Sequence, residues 1–250
     1  MMNFGIDGRR VVIVGASSGI GYELARQFIA QGAEVCIVAQ DEGIFTAAQE
    51  LSREAGRPVR ALQCDVTSRS QVATLAGALD QVDVLVNNAG VGGMTSVDDT
   101  SDSTAEAVRR TLDVNVLGLY WTTQAMLPRL TARGRIIFTT SYWAHTGVPH
   151  FSAYVASKHA LVGMVQTLAA ELGPRGVTVN GVSPGTIDTA LIRREVPQVF
   201  LDHLCGQMKI RPGLIDPSHL GGAYLFLASD AASEISGQIL AVDRGQSINC

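Results

Sequence analysis

Along this chain, short apolar runs rich in β-branched residues alternate with longer segments of helical period. That rhythm restricts the chain to a parallel sheet whose strands are joined by crossover helices. The runs span Arg10 to Val14, Glu34 to Ala39, Val59 to Cys64, Val82 to Asn87, Gly134 to Thr140, Thr178 to Val182 and Gln238 to Val242. Between them, Gly19 to Gln31, Gly43 to Ala55, Ser68 to Leu79, Thr104 to Leu130, Ala153 to Gly173 and Pro217 to Ala228 carry small or apolar residues at three- and four-residue spacing, which predicts helices. Gly32, Gly56 and Gly173 stand where helix C-caps are expected, and Pro174 follows the last of them. The expectation is an α/β fold, a doubly wound parallel seven-stranded sheet with helices on both faces.

With 250 residues, 46% of them hydrophobic and only 17% charged, the chain has ample material for one large core. No repeat or Pro/Ser-rich linker divides it, so residues 1–250 are expected to form a single domain. One stretch breaks the β/α rhythm. Thr186 to Ile215 is too long for an ordinary connection, and it reads either as a substrate lid over about 186–215 or as a pair of surface helices. The net charge of −4 and the lack of any like-charge run argue against a grip on nucleic acid or anionic lipid. No apolar run approaches the length of a membrane span, and the first ten residues show no targeting segment. Cys36, Cys64, Cys205 and Cys250 are scattered, and His159, His203 and His219 lie apart from one another. Free thiols in a reducing cytoplasm, and no metal, are the expectation.

The first strand runs directly into Gly15-Ala16-Ser17-Ser18-Gly19-Ile20-Gly21 and then a helix. A strand, glycine turn and helix in that order bring backbone N–H groups against a pyrophosphate, and the fold expectation becomes Rossmann-like. Tyr154 and Lys158, four apart on a predicted helix, share a face. An ammonium beside a phenol favours the phenolate, so Tyr154 is expected to have a lowered pKa and to act as a general acid/base. Ser141 follows a strand whose end faces the expected nucleotide, where its hydroxyl can orient a carbonyl beside Tyr154.

The glycine turn, together with Asn87-Asn88-Ala89-Gly90, Asn115, Ser141, Tyr154-x-x-x-Lys158 and Pro184-Gly185, resembles the short-chain dehydrogenase/reductase family over almost the whole chain. Val14 departs from it, since members often carry threonine before the first glycine. The resemblance implies hydride transfer between a nicotinamide nucleotide and a secondary alcohol or ketone. It implies a catalytic set of Asn115, Ser141, Tyr154 and Lys158, with the asparagine supporting a water-linked proton relay and the lysine also holding the nicotinamide ribose. For the nucleotide it implies Gly15, Ser17, Ser18, Gly19, Ile20, Gly21, Gln40, Asp65, Val66, Asn88, Ala89, Gly90, Tyr154, Lys158, Pro184, Gly185, Ile187 and Thr189. A homo-oligomer, dimer or tetramer, is implied by analogy alone.

Cofactor choice depends on the end of the second strand, which reads Val38-Ala39-Gln40-Asp41. An acid there pairs with the ribose 2′-OH of NAD(H), and a cation accommodates the 2′-phosphate of NADP(H). Neither signature is complete, and without a positive charge in the glycine turn the balance leans to NAD(H). Ser141, Trp143, His150 and Tyr154 are the candidate substrate contacts. The aromatic segment from Tyr142 to Phe151 fits either a partly apolar substrate or a gap in the core, and His145 and His150 fit either a polar substrate group or the surface. Arg244 replaces the family's usual glycine, and a neighbouring subunit, the active site and solvent all remain open as its partner. Two other readings stand beside the oxidoreductase: a lyase on the same scaffold, like halohydrin dehalogenases, and a nucleotide-binding protein without turnover.

Overall fold

A computed structural model describes residues 4–249, and Cys250 lies outside them. Strand β1 (Arg10–Val14) is buried from Val11 onward, and its side chains alternate between two layers. Val11 and Ile13 join one core, Val12 and Val14 the other. This is the period of two expected for a strand covered on both faces. Beside it lie β2 (Glu34–Ala39) and β3 (Arg60–Gln63) on one side, with β4 (Val82–Asn87), β5 (Leu130–Thr139), β6 (Thr178–Pro184) and β7 (Ile239–Val242) on the other. All pairs are parallel, in the order β3-β2-β1-β4-β5-β6-β7. The order reverses between β1 and β4, which opens a crevice at the C-terminal ends of the strands.

One face is covered by α1 (Gly19–Ala30), α2 (Gly43–Ala55) and α9 (Gly221–Ala228), through Leu24, Phe28, Ile44, Leu51 and Tyr224. The other is covered by α3 (Arg69–Gly77), α5 (Leu119–Met126) and α6 (Ser152–Leu172), through Val72, Leu75, Leu119, Met126 and Val165. Each such side chain contributes about 1.5–3 kcal/mol on full burial. Cys36 and Cys64 are buried as free thiols within this packing, and burial pushes both pKa values up to about 11.

Four details depart from the sequence expectation. The helix expected over Thr104 to Leu130 is α4 (Asp102–Leu112), a π-helical turn (Asp113–Gly118) and α5, which ends before Pro128. Strand β5 starts at Leu130 rather than Gly134, because Leu130 pairs with Val82 before an irregularity in register; Arg133, at φ 69°, lies in that irregular stretch. Gly173 keeps helical angles and opens a 3-10 turn through Pro174, so the left-handed residue is Gly176, at φ 72°. The last expected helix begins as a 3-10 turn (Pro217–Leu220) before α9. Within the 186–215 stretch the chain forms two short helices, α7 (Ala190–Glu195) and α8 (Gln198–Gly206). Leu201 and Leu204 of α8 pack with Tyr142, Trp143 and Phe151 in a third, smaller apolar cluster.

Candidate active site

The glycine turn is shaped by its neighbours. Gly15 adopts φ 82°, and its N–H and that of Ala16 donate to Val38 O at 2.7 and 3.1 Å. Asn88 Nδ2 donates to Gly15 O at 2.7 Å, while Asn88 Oδ1 accepts from Thr139 Oγ1 at 3.0 Å. A Cβ at Gly15 would come within 2.5 Å of Ala89 Cα, and one at Gly21 would strike Gly15 O. Only glycine allows the turn to close this tightly. Ser18, the N-cap of α1, makes no side-chain cap, and the first turn of α1 holds no acid. That helix end fits the phosphates of a dinucleotide, which would receive its N–H groups.

At the far end of the cleft, Gln40 Nε2 donates to Asp65 Oδ2 at 3.1 Å, and Ser17 Oγ donates to Asp41 Oδ2 at 2.8 Å. Asp65 Oδ1 accepts from the N–H and the hydroxyl of Thr67, so this carboxylate orders its own loop as well as facing the cleft. Two carboxylates thus flank Gln40. Among the described residues that line the cleft, Lys158 is the single Lys or Arg.

Lys158 is 3% exposed, and its Nζ donates to Thr139 O at 2.8 Å. Burial lowers its pKa to about 8. Its Nζ lies 5.6 Å from the centre of the Tyr154 ring. The expected lowering of the Tyr154 pKa is therefore not what the structure shows. Desolvation raises it, and the hydrogen bond with Ser141 opposes that rise. The physical reason is that the ammonium is directed at a main-chain carbonyl rather than at the phenol. Ser141 Oγ also accepts from Trp143 N at 3.2 Å, which fixes the loop that follows β5.

Asn115, in the π-helical turn, does not line the cleft. Its Nδ2 donates to Val91 O at 2.8 Å and Ser157 Oγ at 3.0 Å, and its Oδ1 accepts from Val91 N at 2.8 Å. With both donors committed, the side chain clasps the segment after β4 to α6 instead of reaching Lys158. Wide turns of this kind recur at functional sites.

Ser17, Ser18, Gly19, Ile20, Gln40, Asp65, Val66, Asn88, Ala89, Gly90, Pro184, Gly185, Ile187 and Thr189 all line the cleft, as do Gly15, Ser141, Trp143, Tyr154 and Lys158. Gly21 stands behind the turn, where it admits the close approach of Gly15 O. His150 is a correction. It does not line the cleft: at φ 66° it is exposed, its Nδ1 bonds Ser96 Oγ at 2.6 Å, and its main-chain oxygen accepts from Thr95 N at 2.7 Å. His145 is exposed. Arg244 does not line the cleft; it is half-buried, and its Nη1 donates to Arg211 O and Gly213 O, at the return of the 186–215 stretch.

The wall beyond Tyr154 is built from the aromatic segment and the 186–215 stretch, whose individual lining residues the sequence did not single out. Phe151, Ile192, Glu195, Val196 and Leu204 line it, and a Cβ at Gly92 would meet the Tyr154 ring at 2.8 Å. The Gly92-Gly93 pair just after the Asn-Asn-Ala-Gly segment was the available signal for this close approach. Trp143 packs edge-on against Tyr154, with centroids 5.7 Å apart. The cleft thus joins the glycine turn to Tyr154 and an aromatic wall.

Comparisons with known proteins agree with this geometry. The family model described as enoyl-(acyl carrier protein) reductase matches residues 15–247. Galactitol 2-dehydrogenase (L-tagatose-forming) of Cereibacter sphaeroides is 37% identical over 252 residues, covering 98% of this chain and 97% of that protein. The crystal structure of 3-ketoacyl-(acyl-carrier-protein) reductase from Brucella melitensis, complexed with NADH, superposes with a TM-score of 0.86 at 29% identity, covering 97% and 99% of the two chains. An actinorhodin polyketide ketoreductase variant with NADPH gives a TM-score of 0.85 at 32% identity, covering 96% and 97%. Glycine cradle, cleft and relatives together establish that this chain belongs to the short-chain dehydrogenase/reductase family and is an NAD(P)-dependent oxidoreductase.

Proposed function

We propose that Tyr154 exchanges the proton of a secondary alcohol or ketone, with Ser141 orienting the substrate oxygen and Lys158 holding the nucleotide ribose. The observation that carries this is the meeting of Ser141, Tyr154 and Lys158 at one point of a cleft whose other end is the glycine cradle. When bound, the nicotinamide supplies or accepts the hydride. Asn115 acts here by position, keeping Val91 and Ser157 in place beside Tyr154.

The preferred nucleotide in this reading is NAD(H). Asp41 and Asp65 flank the position for the adenosine ribose, so a 2′-phosphate would meet carboxylates first, Arg109 and Arg110 lining the adjoining cavity that shares Gln40 and Asp65, whereas a 2′-hydroxyl donates to the carboxylates. The substrate is a neutral alcohol or ketone with an apolar body, seated against Trp143, Phe151, Val196 and Leu204. We take residues 1–250 as one catalytic domain that works as a dimer or tetramer in the cytoplasm, with 186–215 as its substrate lid. The weak acidity, the free buried thiols and the absence among the described residues of any helix able to cross a membrane support that placement.

Parallel calorimetric titration with NADH and NADPH is the first test, followed by a panel of secondary alcohols with the tighter cofactor. Tight binding of NADH with alcohol-dependent reduction of NAD+ is expected, and Tyr154→Phe should lose at least about a hundredfold in turnover while still binding nucleotide. Retained activity in that variant would remove Tyr154 from its role.

A further inference from the structure

We propose that Gln246 is a positioning residue for the reaction, fixing the aromatic wall and the 186–215 stretch to the loop that follows β6. Its side chain is 1% exposed, and its Oε1 accepts from Thr186 N at 3.1 Å and from Thr186 Oγ1 at 3.2 Å. Its Nε2 donates to Tyr142 OH at 3.1 Å, to Leu204 O at 2.9 Å and, when the hydroxyl turns, to Thr186 Oγ1 at 3.0 Å. Tyr142, Thr186 and Leu204 all line the cleft, and they come from three separate stretches of the chain. One amide therefore sets the spacing between the loop after β5, the loop after β6 and α8.

Nearby chain is arranged to put the amide there. Asp243, buried, accepts from Gly245 N at 2.9 Å and Ser247 N at 2.8 Å, which turns the segment after β7 inward. A Cβ at Gly185 would lie 2.9 Å from Gln246 Oε1, so the glycine makes room for it. From Tyr142 the effect passes by contact. Tyr142 and Trp143 have ring centroids 5.7 Å apart, and Trp143 in turn packs edge-on against Tyr154. A buried amide stabilises little in net terms but fixes geometry, because an unmet donor or acceptor in the same place is strongly unfavourable.

The two ends of the amide have separable consequences. Its acceptor serves Thr186 N–H and hydroxyl in the cofactor part of the cleft, while its donors serve Tyr142 and Leu204 in the substrate wall, with Thr186 Oγ1 as their alternative acceptor. Gln246→Glu keeps the acceptor and loses the donors; Gln246→Leu loses both. The reading rests on the cleft assignment above, yet its first measurement needs neither substrate nor nucleotide. The chain has two tryptophans, so in a Trp121→Phe background Trp143 reports alone.

Acrylamide quenching of Trp143 should rise by about twofold in both Gln246 variants, and by a similar factor in Tyr142→Phe, which leaves Gln246 in place. NADH affinity, measured by calorimetry, should weaken by about fivefold or more in Gln246→Leu but stay within about twofold in Gln246→Glu. In both, KM for the first alcohol found by the panel should rise with a smaller change in kcat. A lowered melting temperature with Trp143 quenching unchanged in the folded variants and in Tyr142→Phe would reduce Gln246 to a structural tie and overturn the proposal. Failure of the unaltered protein to bind NADH would instead overturn the cleft assignment, leaving the Trp143 result to decide the role of Gln246.

Discussion

Lys158 Nζ and the carbonyl oxygen of Thr139 are hydrogen-bonded at 2.8 Å at the wall of the cleft, with Nζ 5.6 Å from the centre of the Tyr154 ring. The contact anchors α6 to the end of β5, the strand whose following loop carries Ser141. It satisfies one of three ammonium donors, so the charge remains poorly solvated and the pKa falls to about 8. Lys158 thereby couples the geometry of the catalytic centre to the protonation state of the folded chain.

A stability signature follows from that lowered pKa. Above pH 10.5 Lys158 is neutral whether the chain is folded or not; as pH falls toward about 8 the unfolded chain takes up the proton first, and folding loses up to about 3 kcal/mol. Cys36 and Cys64 act in the opposite sense, since thiols raised from 9.0 to about 11 hold their contribution below pH 9 and lose it as pH climbs. Comparing Lys158→Met with the unaltered protein cancels the thiols. Between about pH 8 and about pH 9.5 the unaltered protein should gain about 2 kcal/mol on the variant, or about 5 °C in melting temperature by scanning calorimetry. A pH-independent difference would mean that the ammonium is not desolvated.

Cofactor preference is open to redesign at one position. Gln40 donates to Asp65, and a guanidinium there has reach for that carboxylate and for a 2′-phosphate together. Gln40→Arg should tighten NADPH binding by at least about tenfold, near 1.4 kcal/mol, and shift NADH by less than about threefold. Calorimetry on both nucleotides gives the ratio directly, and an unchanged ratio would place the discrimination elsewhere than at Gln40.

Gly92 tests how closely Tyr154 must be held. A methyl group at this position would come within 2.8 Å of Tyr154 Cδ2 and 3.2 Å of Cε2, which forces the ring to tilt. Displacement of a reacting group by a fraction of an ångström reduces kcat by about ten- to a hundredfold. Gly92→Ala should show that loss with NADH affinity within about twofold of the parent, because Gly92 lies on the substrate side. Unaltered kcat would show that the ring tolerates the shift.

The fold was legible where run length and spacing of apolar residues are themselves the signal. The short β-branched run from Val11 to Val14, apolar throughout as a strand covered on both faces must be, and the four-residue step from Tyr154 to Lys158 both appear where expected. The π-helical turn around Asn115 was not legible, because one extra residue in a turn leaves hydrophobic spacing almost unchanged. Nor was the partner of Lys158, since a main-chain carbonyl carries no residue identity; that is why the Tyr154 pKa was expected to fall. His150 looked like a cleft residue by its place between Ser141 and Tyr154, but it stands at positive φ, bonds Ser96 and does not line the cleft. Gln246 lies beyond every recognisable motif, and only the folded arrangement brings it to Thr186, Tyr142 and Leu204.

Arg244 holds the return of the 186–215 stretch by its main chain as well as its side chain. Its carbonyl accepts from Lys209 N at 2.9 Å and Ile210 N at 3.2 Å, and its guanidinium donates to Arg211 O at 3.1 Å and Gly213 O at 3.0 Å. The residue also stands at φ 56°, a conformation that glycine adopts without strain. Arg244→Gly therefore relieves the backbone while removing two charge-assisted hydrogen bonds, and these effects offset in global stability. Locally they do not offset, because the side chain holds both Arg211 O and Gly213 O, and the contact of Gly213 N–H with the Cys205 thiol reaches only one of these residues. The expected outcome is a melting temperature within about 3 °C of the parent, with limited proteolysis at 207–215 several-fold faster and KM for the alcohol raised by about three- to tenfold. Equal proteolysis rates and an equal KM would show that the main-chain bonds of Arg244 hold the segment by themselves.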